Sequence, residues 1–356
     1  MRGTTEAATR VASAPMSGAP MSSTTRRLAV GALAIWMLAV VGTWSNANAG
    51  STPSAGARLI SQMRAAASQT DFSGVVDVTW RSSSGKREHA TVEVHSVDGV
   101  LEVSSNGRIV LDEDGQTFVK DELGWSSTPE VPDPKHRPAP DAQWHLTLRP
   151  TTVEDRAATM VVASRADGTA AQRLVIDDAT HLLLERQVVA RDGTVERAFR
   201  FVSLDLDPAI AAAGLATTPS TPSRTAKAIN DVPDGYHAPE RSGAGAVLVS
   251  TAAHDGGIQL VYTDGLFSLS VLEQRGELDW DALPAGGTDT TVDGARARSY
   301  TQPMGNVVVW ERDGVVFTCA SDAPDDVLRA SIAGLRAEPS TAEQVVDFVL
   351  GPFGFD

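Results

Sequence analysis

The sequence predicts a mainly β protein with a few flanking helices, which places it in the α+β class. Short runs of alternating apolar and polar residues, such as 91–95, recur along the chain. A period of two residues is typical of strands with one buried face. The runs are separated by Asp-Gly or Asn-Gly dipeptides, which tolerate positive φ and close tight hairpins. Helical spacing of apolar residues is confined to a few short segments.

The first half of the chain is predicted to form one large antiparallel sheet. The glycines of its first three hairpin dipeptides are eight residues apart, a spacing typical of a strand meander. A helix from Arg58 to about Thr70 is expected to cover one face, because the apolar face of so large a sheet cannot stay in water. The dipeptides are Asp98-Gly99, Asn106-Gly107, Asp114-Gly115, Asp167-Gly168 and Asp192-Gly193.

A smaller α+β domain is predicted to follow a linker rich in Thr, Pro and Ser. Hairpins are expected at Asp264-Gly265 and Asp313-Gly314, and a helix from Pro324 to Leu335 with Ser321 or Asp322 as its N-cap. A last helix, Ala342 to Leu350, either packs on this domain or contacts a partner. The predicted boundaries are 1–49 for a signal peptide, 57–208 for the first domain, 209–231 for the linker, 232–336 for the second domain and 337–356 for a C-terminal helix and tail.

The first 49 residues have the pattern of an export signal. Arg26 and Arg27 precede an uncharged run from Leu28 to Val41, which is short for a membrane span. The small residues Ala47-Asn48-Ala49 then offer a cleavage site, so we expect the mature chain to begin at Gly50. An uncleaved membrane anchor is the alternative. Met16 or Met21 are alternative starts, because the stretch before Arg26 is long for a signal peptide.

Charge excludes one class of partner and favours another. The whole chain has a formal net charge of -15, and its first 49 residues hold four arginines and one glutamate, so the remainder carries -18. Nucleic acid is therefore not an expected partner, because its phosphates need Lys and Arg contacts. A basic protein segment or a neutral apolar ligand fits this charge better.

No arrangement of residues predicts catalysis, a metal site or a cofactor. The seven histidines include no pair at the i, i+4 spacing of a helical zinc site, and Cys319 is the only cysteine. No nucleophile elbow of the G-x-S-x-G type is present. Ser83 and Lys86 fit the S-x-x-K pattern, but in an expected hairpin tip rather than at a helix start. An enzyme using these two residues is the least favoured hypothesis.

Several segments resemble the RseB/MucB family of anti-sigma-factor regulators, over about residues 57–335. The most specific is Tyr262-Thr-Asp-Gly-Leu-Phe-Ser-Leu-Ser-Val271, followed by Val232-Pro-Asp-Gly-Tyr236. In the first domain the resemblance rests on Phe72-Ser-Gly74, on 174–184, and on Val153-Glu-Asp-Arg-Ala157, where Asp155 replaces the family's glycine.

The resemblance implies a fold, a partner and a ligand. The first domain would be a LolA-like curved antiparallel half-barrel, and the second a smaller mixed domain. Proteins of this family bind the extracytoplasmic part of an RseA-like membrane anti-sigma factor and shield it from the protease that begins its destruction. An acylated lipid in the half-barrel relieves that shielding. The chain would then be an exported, non-catalytic regulator of envelope stress signalling.

Two sets of residues are candidate contacts. Phe72, Trp80 and Met160 are expected to line an apolar groove that suits an acyl chain, although an ordinary closed core would use the same residue types. The other set belongs to the second domain, which we expect to carry the main anti-sigma contact: Tyr262, Asp264, Gly265 and Phe267. A framework role in the domain core is the alternative for Tyr262 and Phe267.

A lipid or lipoprotein carrier with the same half-barrel is the alternative function. Simple carriers of this kind end after the first sheet, whereas this chain continues through Val232 to Leu335. The second domain therefore favours the regulator.

Overall fold

The computed structural model describes residues 53–105, 108–113, 116–121, 124–127, 138–207, 227–229, 232–254 and 257–335. The predicted signal peptide, most of the linker, the C-terminal tail and the turns at Asn106-Gly107 and Asp114-Gly115 lie outside these residues. Across the described residues, no helix combines the length and the apolar composition needed to cross a membrane.

The first sheet has eleven antiparallel strands in the described residues, in the spatial order β6-β5-β4-β3-β2-β1-β11-β10-β9-β8-β7. It is open, because β6 and β7 are not paired with each other. Its strands are β1 (Phe72–Arg81), β2 (Arg87–Val97), β3 (Val100–Ser105), β4 (Arg108–Glu113), β5 (Gln116–Asp121), β6 (Gly124–Ser127), β7 (His145–Val153), β8 (Arg156–Ser164), β9 (Ala170–Asp177), β10 (Leu183–Val189) and β11 (Val195–Asp205).

Helix α1 (Ala55–Gln69) precedes this sheet and covers one of its faces. The side chain of Ser54 caps it by accepting from the Ala57 N–H, which satisfies one of the free donors of the first turn. Its apolar stripe, including Ile60 and Met63, packs against Val161 and Leu174 of the sheet. The predicted helix is confirmed, with a start three residues before Arg58.

The second sheet has eight antiparallel strands in the described residues, in the order β12-β13-β14-β15-β19-β18-β17-β16. Its elements are β12 (Lys227–Ala228), β13 (Val247–His254), β14 (Gly257–Thr263), β15 (Ser268–Arg275), β16 (Thr288–Val292), β17 (Ala295–Thr301), β18 (Asn306–Arg312), β19 (Val315–Ser321) and helix α2 (Asp325–Ile332). A short 3₁₀ helix, Pro140–Ala142, lies between β6 and β7. The predicted fold class, mainly β with flanking helices, is confirmed.

Two of the predicted hairpin dipeptides form two-residue turns, whereas Asp167-Gly168, Asp192-Gly193 and Asp264-Gly265 lie in longer loops in which only the glycine has positive φ. Asp98 and Gly99 both have positive φ, at 51° and 82°, and Asp313 and Gly314 have 53° and 72°. Two consecutive positive values are the signature of a two-residue hairpin turn, which only Gly, Asn and Asp adopt readily. Two further such turns were not predicted from the sequence: Asp293-Gly294, between β16 and β17, and Glu154-Asp155, between β7 and β8.

The backbone conformation at Asp155 accounts for the departure of this position from the family pattern. It occupies the second position of the β7–β8 turn with a φ of 65°, where the resembling family has glycine. Asp tolerates this left-handed conformation better than most side chains. Arg156 follows it and forms an ion pair with the buried carboxylate of Asp177, at 3.3 Å. Two of the segments that carry the resemblance are therefore joined directly.

The N-cap predicted for the last described helix is wrong. Helix α2 begins at Asp325, and its N-cap is Pro324, without a side-chain capping bond. Ser321 and Asp322 are not available as caps because their side chains bind elsewhere. The Ser321 hydroxyl donates to the Ser268 carbonyl at 2.7 Å, and the Asp322 carboxylate accepts from the Arg186 guanidinium at 2.9 Å.

The two sheets cover different parts of the chain, and β12 falls within the segment predicted as a linker. Whether they fold separately stays a prediction, as do the boundaries 57–208, 209–231 and 232–336. Turns of the second sheet contact the first sheet and its helix. Leu266, Phe267 and Ala323, from the second sheet and its turns, belong to the core cluster that also holds Ile60 and Met63 of α1.

Glu273 is a buried carboxyl in the core of the second sheet. It is 0% exposed, its Oε2 accepts from the His237 N–H at 3.4 Å, and its Oε1 has no hydrogen-bond partner. Burial raises the pKa of Glu273 to about 8, because the charged form loses its hydration. The core around Glu273 includes Tyr262, Phe317 and Cys319, and Phe317 pairs with Glu273 between β15 and β19. None of these three side chains carries a positive charge.

We expect Glu273→Gln to stabilise the protein at alkaline pH. The folded pKa of Glu273 lies above its unfolded value, so its contribution to stability is full below about pH 4.5 and is lost as the pH rises to about 8. The amide cannot ionise. The free energy of unfolding of the variant, relative to that of wild type, should therefore rise by about 2–5 kcal/mol between pH 4.5 and pH 8. Urea unfolding at both pH values measures this. An equal difference between the two proteins at both pH values would contradict it.

Candidate ligand groove and sheet contact

An apolar groove lies between helix α1 and the central strands β1, β11 and β10 of the first sheet. Its empty space, with the open solvent at its mouth included, is about 660 Å³. Residues from α1 and from four strands, β1, β3, β10 and β11, form its walls, and they include Met63, Ala67, Phe72, Leu101, Phe199 and Phe201. The walls are mainly aliphatic and aromatic, which suits an unbranched hydrocarbon chain, and Glu185, Arg186 and Arg200 also line the groove.

The Phe72-Ser-Gly74 segment shapes this groove. The rings of Phe72 and Phe201 meet edge to face, with centroids 6.0 Å apart. A Cβ atom on Gly74 would lie 2.5 Å from the Ser203 carbonyl oxygen and 2.8 Å from the Phe201 ring. Glycine is therefore required for the close approach of β1 and β11 that places the Phe201 ring at the groove.

Met304 of the second sheet completes the groove wall. It lies on the turn between β17 and β18, is 1% exposed, and belongs to the core cluster of the first sheet. Gln302 and Gly305 exchange two backbone hydrogen bonds that close this turn. The groove is therefore built by both sheets.

Buried charges join the two sheets beside the groove. Arg186 donates to the Asp322 carboxylate at 2.9 Å, and both side chains are almost fully buried. Arg186 also lines the groove. Arg197 donates to the backbone carbonyls of Asp322 and Ala323, at 3.0 and 2.8 Å. Arg64 of α1 donates to the Gly265 carbonyl at 2.5 Å. Three arginines of the first sheet and its helix thus reach across to turns of the second.

Burial dominates the electrostatics of this contact. It raises the pKa of Asp322 to about 6, against the attraction of Arg186, and it lowers the pKa of Arg186 and of Arg64 to about 10. All three groups therefore remain ionised at neutral pH. Loss of hydration outweighs the mutual attraction, as is common for buried ion pairs.

The structure places the three predicted groove residues differently. Phe72 lines the groove. Trp80 packs, partly buried, against the core cluster of the first sheet, and it is not among the lining residues. Met160 is not among the lining residues and packs against Ala158, Val175 and Leu184, on the face of the sheet opposite to Val161; of these three, Leu184 also lines the groove. Ligand contact by these residues stays a prediction.

The four predicted partner-binding residues are all buried within the chain. Tyr262 is 0% exposed and lies in the core of the second sheet, opposite Leu269. Phe267 stacks edge to face on Trp144, with centroids 5.4 Å apart, in a cluster of the first sheet. Their role in binding a partner stays a prediction.

Asp264 and Gly265 form the turn that presents Phe267. The Asp264 carboxylate accepts from the N–H groups of Leu266 and Phe267, at 2.8 and 2.7 Å. Gly265 has the expected positive φ, 85°, and a Cβ atom there would lie 2.3 Å from the Pro138 carbonyl oxygen. The loop between the paired residues Thr263 and Ser268 holds four residues, so Phe267 leaves the ladder and turns towards the first sheet.

Sequence reasoning missed the residues that join the sheets. Arg186 lies on β10 opposite the buried Leu174, and Arg197 lies on the apolar face of β11 together with Phe199 and Phe201. A charged residue on the buried side of a strand needs a partner, and this signal could have been used. The partner, Asp322, was instead interpreted as a helix cap.

Ser83 and Lys86 are not joined to each other. The Ser83 hydroxyl donates to the Gly286 carbonyl at 3.2 Å, and the exposed Lys86 ammonium pairs with Glu88 at 3.2 Å. Within the described residues, no group of three or more His, Cys, Asp or Glu side chains could hold a metal ion.

Comparisons with known proteins give a likeness of fold. No family model matches the chain, and no curated protein matches it. A crystal structure of MucB in complex with MucA(peri) is 18% identical, with a TM-score of 0.48, over 80% of this chain and 100% of that one. The Pseudomonas aeruginosa MucA/MucB complex is 17% identical, with a TM-score of 0.47, over 81% and 100%.

In fold, the chain is similar to MucB. A smaller likeness is to a putative outer membrane lipoprotein-sorting protein domain from Vibrio parahaemolyticus, 9% identical with a TM-score of 0.23, over 45% of this chain and 94% of that one. At these identities the MucB likeness concerns the fold alone.

We expect Phe72 and Met160 to respond differently to truncation. Phe72→Ala should weaken the binding of cis-parinaric acid, a fluorescent fatty acid, by about tenfold, because one wall of the groove is lost. Met160→Ala should leave the affinity within about twofold, because its side chain lies on the other face of the sheet. Fluorescence titration of both variants measures this. Equal weakening by both would show that the probe does not occupy this groove.

Proposed function

We propose that this protein is an exported regulator that binds the extracytoplasmic part of a membrane anti-sigma factor and controls its proteolysis. We further propose that an acylated ligand occupies the groove. Export rests on Arg26, Arg27 and the apolar run that follows them, with cleavage before Gly50.

The arrangement of the two sheets is the observation that carries this proposal. The segment Tyr262–Val271, which bears the most specific resemblance to the RseB/MucB family, forms the β14–β15 hairpin. The tip of that hairpin packs into the first sheet through Phe267. The segment that identifies the resemblance therefore also joins the sheets, which suits a protein that binds through an assembly of two sheets rather than one.

The partner class comes from the sequence resemblance, and it agrees with the crystal structures that contain MucB together with MucA(peri). The charge of -18 outside the first 49 residues suits a basic protein segment. Charge of this kind speeds encounter and improves specificity more than it adds affinity.

The ligand class comes from the groove. Its walls are mainly apolar, and its mouth is open to solvent. A lipid or lipoprotein carrier would use the same groove, and this is the second candidate function. A carrier would bind the acyl ligand without needing the partner protein.

We expect the full chain to bind a purified extracytoplasmic segment of the membrane anti-sigma factor from the same genome, with a Kd in the micromolar range or tighter. Binding should protect the segment from the protease that cleaves it first. Calorimetry and a proteolysis time course measure the two effects.

The outcomes separate the candidates. Binding with protection supports the regulator. Saturable binding of cis-parinaric acid without binding of the segment would favour the carrier. Leu278→Ala is the matched control. Leu278 packs against Leu283 and Tyr300, on the face of the second sheet opposite to Tyr262. This variant should bind the segment like wild type.

A further inference from the structure

The turn between β17 and β18 places one side chain of the second sheet in the core of the first. Met304 packs in the cluster that holds Phe72, Leu182 and Phe199, and all four residues line the groove. Among the described members of that cluster, Met304 alone comes from the second sheet. A ligand in the groove would therefore touch both sheets.

The backbone around Met304 is held firmly. Gln302 and Gly305 exchange hydrogen bonds across the turn, and a Cβ atom on Gly305 would lie 2.1 Å from the Ser321 carbonyl oxygen. Asn306, two residues after Met304, has its side-chain oxygen 3.4 Å from the Arg197 guanidinium. A displacement of Met304 would therefore also move Gly305 and Asn306, which contact Ser321 and Arg197 beside the buried charges.

We propose that Met304 makes ligand binding and sheet docking interdependent: an acyl chain in the groove contacts Met304 and tightens the second sheet against the first. This inference deepens the proposed function and rests on its acyl ligand. It assigns a coupling role to a residue that contacts the ligand from the second sheet.

The direction of coupling follows from the geometry. The Met304 wall exists only while the second sheet is docked, so the docked arrangement offers the ligand more apolar contact than an undocked one. A ligand that binds one arrangement better shifts the protein towards it, and the coupling is reciprocal. The flexible thioether side chain of methionine can adapt to a chain that lies against it.

Methionine methyl groups give a direct test in the full chain. Met63, Met160 and Met304 are the methionines of the described residues. Methyl ¹³C labels, assigned by Met→Leu variants, should show shifts at Met63 and Met304 on addition of cis-parinaric acid. Met160, on the other face of the sheet, should not shift. A shift at Met63 without one at Met304 would overturn the inference and leave the groove ligand intact.

Hydrogen exchange tests the coupling itself. The probe should slow amide exchange in the turn 302–305 and at 321–324 by about threefold or more in wild type and in the Leu278→Ala control. In Met304→Ala the probe should bind without slowing exchange there. Equal protection in Met304→Ala would overturn the inference. Absence of saturable probe binding to wild type would instead remove the acyl ligand from the proposed function, and the inference with it.

Discussion

Asp322 stands between the two sheets, and its contacts set how one sheet meets the other. Its carboxylate accepts from Arg186 of the first sheet, at 2.9 Å, and from the Ser268 N–H of the second, at 2.5 Å. Its backbone carbonyl accepts from Arg197. Burial raises the pKa of Asp322 to about 6 despite these partners, so the contact is costly to form. A costly contact with defined geometry is better suited to fixing one arrangement of the sheets than to adding net stability, which is our hypothesis for its role.

The groove depends on that arrangement. Arg186 borders the groove and binds Asp322. Met304 lies in the groove wall, on the turn that precedes Asn306, and the Asn306 side-chain oxygen lies 3.4 Å from the Arg197 guanidinium. Phe267 fills a second site in the first sheet, against Trp144. Apolar side chains on tight turns enter the first sheet, and buried arginines bind the carbonyls and the carboxylate beside them. The apolar and polar contacts are therefore parts of one interface.

Local chemistry made most of the fold predictable. Asp98-Gly99 and Asp313-Gly314 close hairpins because their positive φ values are accessible to few residues, and the stripe of Ile60 and Met63 identified α1. The position of Phe72 at the groove was also predictable, because an aromatic residue in a central strand can fill the concave face of a curved sheet. Met160 has similar chemistry but lies on the other face, because strand pairing decides which parity faces α1. The pairing of Arg186 with Asp322, 136 residues apart, and the packing of Phe267 against Trp144 depend on long-range contacts that local patterns do not encode.

A double-mutant cycle on Arg186 and Asp322 tests the central claim most directly. The free energy of unfolding of the full chain would be measured in urea for Asp322→Asn, Arg186→Met and the double variant. Each single variant leaves a buried charged or polar group without its partner, so each should lower that free energy by about 3–5 kcal/mol. The double variant should lose clearly less than the two single losses together. Additive losses would contradict the account, because they would show that the two groups do not depend on each other across the sheets.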